Sequence, residues 1–181
     1  MSTLLANVGL PMLFWQMPVA TIVFFPIVLV ESLIALRIFK QRFVPIFLRM
    51  SAANALSTFV GVPVAWIGML MVNFATAGGR WDGYSTPLKA FKSVVLQASW
   101  LAPHEEQMIW LVPAATLVLL VPYFLASVFI ERWLLRQLFP DLETGRVSRA
   151  AWIANVVSYG GLAAYTAFWL FRGLARVNLT T

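Results

Sequence analysis

The chain has 181 residues, 61% of them hydrophobic and 11% charged, with a mean hydropathy of +0.82. A water-soluble fold of this length cannot hide so much apolar surface, so the excess has to face lipid and no room is left for a separate soluble domain. The net charge of +6 does not point to nucleic acid, because the bases sit at the ends of apolar runs and no basic patch with interleaved aromatics is present to track phosphates. With no Cys, disulfides, thiolate metal sites and a Cys nucleophile are excluded.

Taken in chain order, no Lys or Arg precedes the first apolar run, so the positive region of a cleaved signal is missing and the first segment is expected to stay in the mature protein. After a short apolar lead-in over 10–16, a first membrane span is predicted over 18–39 and a second over 50–76. A third is predicted over 108–138 and a fourth over 150–171, each long enough for the roughly 20 apolar residues that a helix needs to cross a bilayer. Pro26, Pro63, Pro113 and Pro122 fall inside these runs. Each removes a backbone donor, which predicts local irregularity there.

The connection over 77–107 is too long for a simple turn. It opens with the turn-rich Gly78-Gly79-Arg80-Trp81-Asp82-Gly83, after which Ser85-Thr86-Pro87 reads as a hydroxyl cap followed by Pro at the first helical position. A short helix over 87–101 follows, with Leu88, Phe91, Val95 and Ala98 at helical spacing. It either lies in the outer interface, with Trp81 and Trp100 at headgroup depth, or packs across the top of the bundle.

Eight bases, Arg37, Lys40, Arg42, Arg49, Arg132, Arg136, Arg146 and Arg149, flank the first and third connections, against five elsewhere. The positive-inside bias puts those two connections in the cytoplasm and both termini outside. Ser57, Gly61 and Ala65 in the second span, and the Gly- and Ala-rich fourth span, allow close backbone approach in lipid. Spans two and four are therefore expected to be the inner pair.

An internal repeat is visible. Glu31 and Phe39 superpose on Glu131 and Phe139 with mostly apolar residues between, and Arg49 superposes on Arg149. With one residue inserted, Ala53-Asn54 and Ser57 fall on Ala154-Asn155 and Ser158. Both halves would be hairpins in one orientation, a parallel repeat unlike the inverted repeats of many transporters. Glu31 and Asn54 lie about equally far from the tip of their hairpin, as do Glu131 and Asn155, so a hydrogen bond is expected within each pair, with Ser57 and Ser158 one turn deeper. Glu31 is surrounded by apolar sequence and should be buried, whereas Glu131, next to Arg132 and near Arg136, should lie at the interface. Carboxylates in a span are costly and mark either a polar contact that fixes packing or a pathway. The Glu followed by Ala-Asn-x-x-Ser resembles small bacterial membrane proteins in general, over about thirty residues per half, and carries no activity with it.

Other chemistry is thin. His104-Glu105-Glu106 lacks the second His of a zinc helix, and the single His in the chain disfavours haem held between two His ligands. An acidic cap on the third span explains the three residues better than a carboxylate site that would also recruit Asp82. Gly78-Gly79 lacks the Lys and spacing of a phosphate loop, and Asn178-Leu179-Thr180 fits a short glycosylation pattern that chance also produces. Tyr159 could donate a proton near Asn155 and Ser158, although packing roles are commoner for such a residue.

The sequence therefore predicts an all-α integral membrane protein, a single bundle over 1–181 of four transmembrane helices arranged as two parallel-repeat hairpins, with an interfacial helix in the outer connection between the second and third spans. No enzyme, cofactor or metal is expected. The leading expectation is a structural or accessory subunit in a bacterial inner membrane, bound to lipid and to other membrane subunits or to itself. The alternative is an oligomeric ion- or proton-coupled transporter or channel. The candidate polar residues are Glu31, Asn54, Ser57, Glu131, Asn155 and Ser158.

Overall fold

A computed structural model describes residues 10–77, 85–101 and 108–178. They are mostly helical, with short turns and one two-residue backbone pairing between the helices. The helices are α1 (Met12–Phe39), α2 (Phe43–Leu56), α3 (Val62–Ala77), α4 (Pro87–Leu96), α5 (Met108–Leu138) and α6 (Thr144–Asn178), and a π-helical turn at Ser57–Gly61 joins α2 to α3. Three stretches, Met12–Phe39, Phe43–Thr76 and Met108–Leu138, are long and apolar enough to cross a membrane. Helix α6 is longer still at 35 residues, but Asn155, Ser158, Tyr159, Gly160 and Gly161 dilute its apolar content.

Helix ends differ from the apolar runs for a physical reason. α1 begins before the expected Pro18, α2 before Met50, and α6 before Ala150 and runs past Phe171. α1 takes in the apolar lead-in and α2 the apolar turn before Arg49, while the backbone hydrogen bonding of α6 begins in the polar Thr144–Arg149. The tips are tight. Lys40 adopts a left-handed φ of 55° and its N–H donates to Leu36 O at 3.0 Å, closing α1. Pro140 follows the last turn of α5, where a residue preceding proline is pushed out of the helical region.

The chain divides into two compact units, one of Met17–Val64 with Tyr123–Leu162 and the other of Met1–Gln16, Ala65–Pro122 and Ala163–Thr181. In the first unit, α1, α2 and the π turn pack with the later part of α5 and the earlier part of α6. Its core holds Ala35, Phe39, Ile46, Met50, Leu135 and Phe139 with small residues between. The Phe39 and Phe139 rings meet with centroids 4.8 Å apart, and the Arg49 guanidinium lies 4.5 Å over the Phe139 ring.

Of the prolines expected to disturb their helices, Pro63 coincides with a clear irregularity. It has no N–H for the carbonyl four residues back and its ring crowds that carbonyl, and the chain widens into the π turn immediately before it. α1 and α5 stay continuous through Pro18, Pro26, Pro113 and Pro122.

In the second unit, Leu10–Pro11 pairs antiparallel with Trp100–Leu101, and Met12 N donates to Ser99 O at 3.2 Å. Trp66 Nε1 donates to the same Ser99 carbonyl at 2.7 Å, and Asn73 Nδ2 to Leu96 O at 2.9 Å. Thr86 caps α4 by accepting from Lys89 N, with Pro87 at the first position as its sequence predicts. The helix ends at Leu96, earlier than the predicted 101. Its two expected placements divide between its ends: Val94 and, just beyond the helix, Ala98 are buried, while Leu88 and Phe91 are exposed.

The second span is not more buried than the first and third. α1 and α5 bury at least as large a share of their apolar stretch as the Phe43–Thr76 helix does. Gly160 and Gly161 of α6 have open space where a Cβ would stand. Close approach occurs at Gly61, in the buried Ser57–Gly61–Ala65 stripe that the sequence singled out, where a Cβ would lie 3.3 Å from Ile130 Cδ1, and at Gly173, where it would lie 2.7 Å from the Ile109 carbonyl oxygen.

Candidate functional site

All six residues singled out from the sequence meet in the first unit. Glu31 is 0% exposed and Glu131 1% exposed, although each sits on a helix rich in Val, Ile, Leu and Phe. Asn54 Nδ2 donates to Glu31 Oε2 at 2.7 Å, and Asn155 Nδ2 donates to Glu131 Oε2 at 2.6 Å. The first joins α2 to α1 and the second α6 to α5, the two pairings expected from the matched distances to the connections between those helices.

The serines do what the sequence did not indicate. Each crosses to the other carboxylate: Ser57 Oγ donates to Glu131 Oε1 at 2.8 Å and Ser158 Oγ to Glu31 Oε1 at 2.6 Å. Each is also close to the carbonyl of its own Asn, at 3.1 Å and 3.2 Å, but a hydroxyl has one proton and the carboxylate contact is the shorter. Each Asn amide keeps a second tie along its own helix, to Met50 O at 3.1 Å and to Ala151 O at 3.0 Å. All four carboxylate oxygens thus face a donor from the chain itself, and four helical segments close into one ring.

The expectation that Glu131 lies at the interface beside its arginines is corrected. Its oxygens are taken by Asn155 and Ser57. Arg132 is the next residue and Arg136 the fifth along, so both project from other sides of a helix with 3.6 residues per turn. Burial is matched at a spacing of one hundred positions: Val28 with Val128, Glu31 with Glu131, Ala35 with Leu135 and Phe39 with Phe139 are all buried.

The ring is extended on one side only. Tyr123 and Ser127 precede Glu131 by two turns and one turn of α5 and lie on its face, and Ser127 Oγ shares a 2.7 Å hydrogen bond with Tyr159 OH. Tyr159 lies within electrostatic reach of both carboxylates. The corresponding positions of α1, Val23 and Ile27, are apolar. The polar spacing of Tyr123, Ser127 and Glu131 at every fourth residue is a legible signal in an apolar span, and Tyr123 and Ser127 were the residues that sequence reasoning missed. Among the described residues, the Tyr123 hydroxyl, Ser32 Oγ and Asn155 Oδ1 are buried without a hydrogen-bond partner. No group of three or more His, Cys, Asp or Glu is placed to hold a metal among the described residues, and His104, Glu105, Glu106 and Asp82 lie outside them. No family model matches the sequence, and neither curated proteins nor solved structures give a match.

Proposed function

We propose that this protein is a membrane-embedded helical scaffold, a structural or accessory subunit that acts through helix–helix contacts and is held in shape by the Glu31–Asn54–Ser57–Glu131–Asn155–Ser158 ring. One observation carries this reading: every carboxylate oxygen already has a donor from the same chain, in a buried arrangement that reaches four helical segments. In an apolar surrounding a polar group without a partner is costly, so a closed polar ring favours one helix register over its neighbours. The same reciprocal bonds, and the matched burial at a spacing of one hundred, support four spans built from two parallel hairpins, with α6 as the fourth. On that topology the tips near residues 41 and 141 face the cytoplasm of a bacterial inner membrane and both termini lie outside.

A second reading is favoured by a separate observation. The Tyr123–Ser127–Glu131 stripe spans eight residues, about 12 Å of helix at 1.5 Å per residue, which is a sizeable part of a bilayer core of about 30 Å. A polar stripe of that length suits a proton- or ion-coupled pathway in an oligomer.

The two readings part on Glu31→Gln and Glu131→Gln. Gln keeps the shape of the side chain: its one oxygen can accept from the Asn amide, and its NH2 can donate to the Ser hydroxyl oxygen, which reverses that bond. In the scaffold reading these variants keep the protein's oligomeric state and co-purifying partners, while Glu31→Ala lowers its abundance. Proton flux in liposomes that is present in the wild type and lost in both Gln variants, at unchanged protein level, overturns the scaffold in favour of the pathway.

A further inference from the structure

The second compact unit carries a groove of about 420 Å³ whose walls include Trp15 of α1, Ile109, Val112 and Pro113 of α5, and Trp169 and Arg172 of α6. We propose that this groove is a binding site for one anionic phospholipid, with an acyl chain along Val112 and Pro113 and the phosphate at Arg172. Three observations converge on that occupant.

The first is the chemistry of the walls, which are aliphatic and aromatic at a volume near the lower end of small-molecule sites. Such a trough suits part of a hydrocarbon chain and offers little to a polar metabolite.

The second is charge. Arg172 of α6 lines the groove and brings a positive formal charge to it. The Arg172 guanidinium lies over the Phe168 and Trp169 rings at 5.5 Å and 5.7 Å, which places a cation that can bind phosphate through several N–H groups at this wall of the groove.

The third is aromatic placement. Trp15 and Trp169 are half exposed on this groove, and Trp at membrane depth concentrates where acyl chains meet headgroups. Gly173 fixes the floor: its missing Cβ lets α6 approach the α5 backbone at Ile109, and the groove opens beside that contact. On the proposed topology the site belongs to the outer leaflet. It depends on the chain lying in a bilayer and not on the polar ring being a scaffold.

The test uses the full chain, delipidated in mild detergent and titrated with dioleoyl phosphatidylglycerol or dioleoyl phosphatidylcholine, with bound lipids counted by native mass spectrometry. A basic residue near an anionic headgroup contributes about 1 kcal/mol, so the first phosphatidylglycerol is expected to bind about fivefold more tightly than the first phosphatidylcholine. Arg172→Gln should erase that preference and Arg172→Lys should keep part of it. Val112→Trp, which fills the trough, should remove the first adduct of both lipids while leaving the helical circular dichroism intact. Equal affinity for the two lipids in the wild type, or a preference that survives Arg172→Gln, overturns the proposal. So does a wild type that takes up neither lipid and instead dimerises, which would assign the groove to a second copy of the chain.

Discussion

Ser158 Oγ lies 2.6 Å from Glu31 Oε1 although 127 positions separate the two residues in the chain. With the Ser57–Glu131 bond it forms the pair of contacts between distant helices, α6 to α1 and the π turn to α5, whereas Asn54 and Asn155 bond between helices consecutive in the chain. The two kinds of bond should therefore separate experimentally. Asn54→Ala and Asn155→Ala each leave a buried carboxylate oxygen without a donor and are expected to cost about 1–3 kcal/mol of unfolding free energy in mild detergent. In double-mutant cycles, Glu31→Gln should couple to Ser158→Ala by roughly 0.5–3 kcal/mol and more weakly to Ser57→Ala, which touches the other carboxylate. Coupling of equal size in the two cycles would mean that the crossed pattern is not what holds the hairpins.

The within-hairpin bonds were legible in the sequence because they follow from counting: two residues equally far from a tight tip lie at one height in an antiparallel pair. The crossing was not legible. It depends on how the hairpins are rotated against each other, and neither hydropathy nor spacing records that angle. Glu131 was misplaced for a related reason, since adjacency to Arg132 along the chain is not adjacency on a helix, where neighbouring side chains point about 100° apart. The Pro63 irregularity was legible as a missing donor, but its form as a π turn beginning at Ser57 was not. The span ends at 39 and 138 matched their helices, whereas α6 starts earlier than its apolar run because its hydrogen-bonded turns begin in polar sequence at Thr144.

Tyr123 and Tyr159 share a region of the first unit but differ in their bonding. Tyr159 OH is bonded to Ser127, while the buried Tyr123 OH has no partner among the described residues. Removing an unsatisfied buried hydroxyl relieves a desolvation penalty, so Tyr123→Phe is expected to leave thermal stability unchanged or to raise it by up to about 1 kcal/mol. Tyr159→Phe strands Ser127 and should cost about 1 kcal/mol. A Tyr123→Phe variant that is clearly less stable than the Tyr159→Phe variant would show that the hydroxyl of Tyr123 has an important partner in the native membrane.

Gly61 and Gly173 are both sites of close helix approach, yet they should respond differently to a methyl group. At Gly61 the new Cβ meets the flexible end of Ile130 at 3.3 Å and Ala126 Cβ at 3.4 Å, so a small adjustment suffices. The gain of about 1 kcal/mol in helix propensity should then leave Gly61→Ala neutral or slightly stabilising. At Gly173 the obstacle is backbone, the Ile109 carbonyl at 2.7 Å, which cannot rotate away. Gly173→Ala is expected to destabilise by about 1–3 kcal/mol through overpacking. Melting curves of the two purified variants decide the matter, and a Gly173→Ala protein as stable as wild type would show that α5 and α6 are farther apart there.

Gln41 and Asp141 stand exposed in the connections after α1 and α5, one hundred positions apart, and Ser85 is exposed just before α4. Because the chain contains no Cys, single substitutions at these positions give clean labels. Four spans in two parallel hairpins place Gln41 and Asp141 on one side of the membrane and Ser85 on the other, and the distribution of basic residues makes the shared side the cytoplasm. In intact cells a membrane-impermeant maleimide should therefore label Ser85→Cys and leave Gln41→Cys and Asp141→Cys unmodified until the membrane is opened. Helix α6 is the decisive element, because its apolar content is diluted by the residues that build the ring and by its glycines. If α6 lay along the surface, Asp141 would keep the same side as Gln41 but the end of the helix would too. A Cys at Arg176 separates these cases: labelling from outside means that α6 crosses, and labelling only after permeabilisation means that the bundle has three spans.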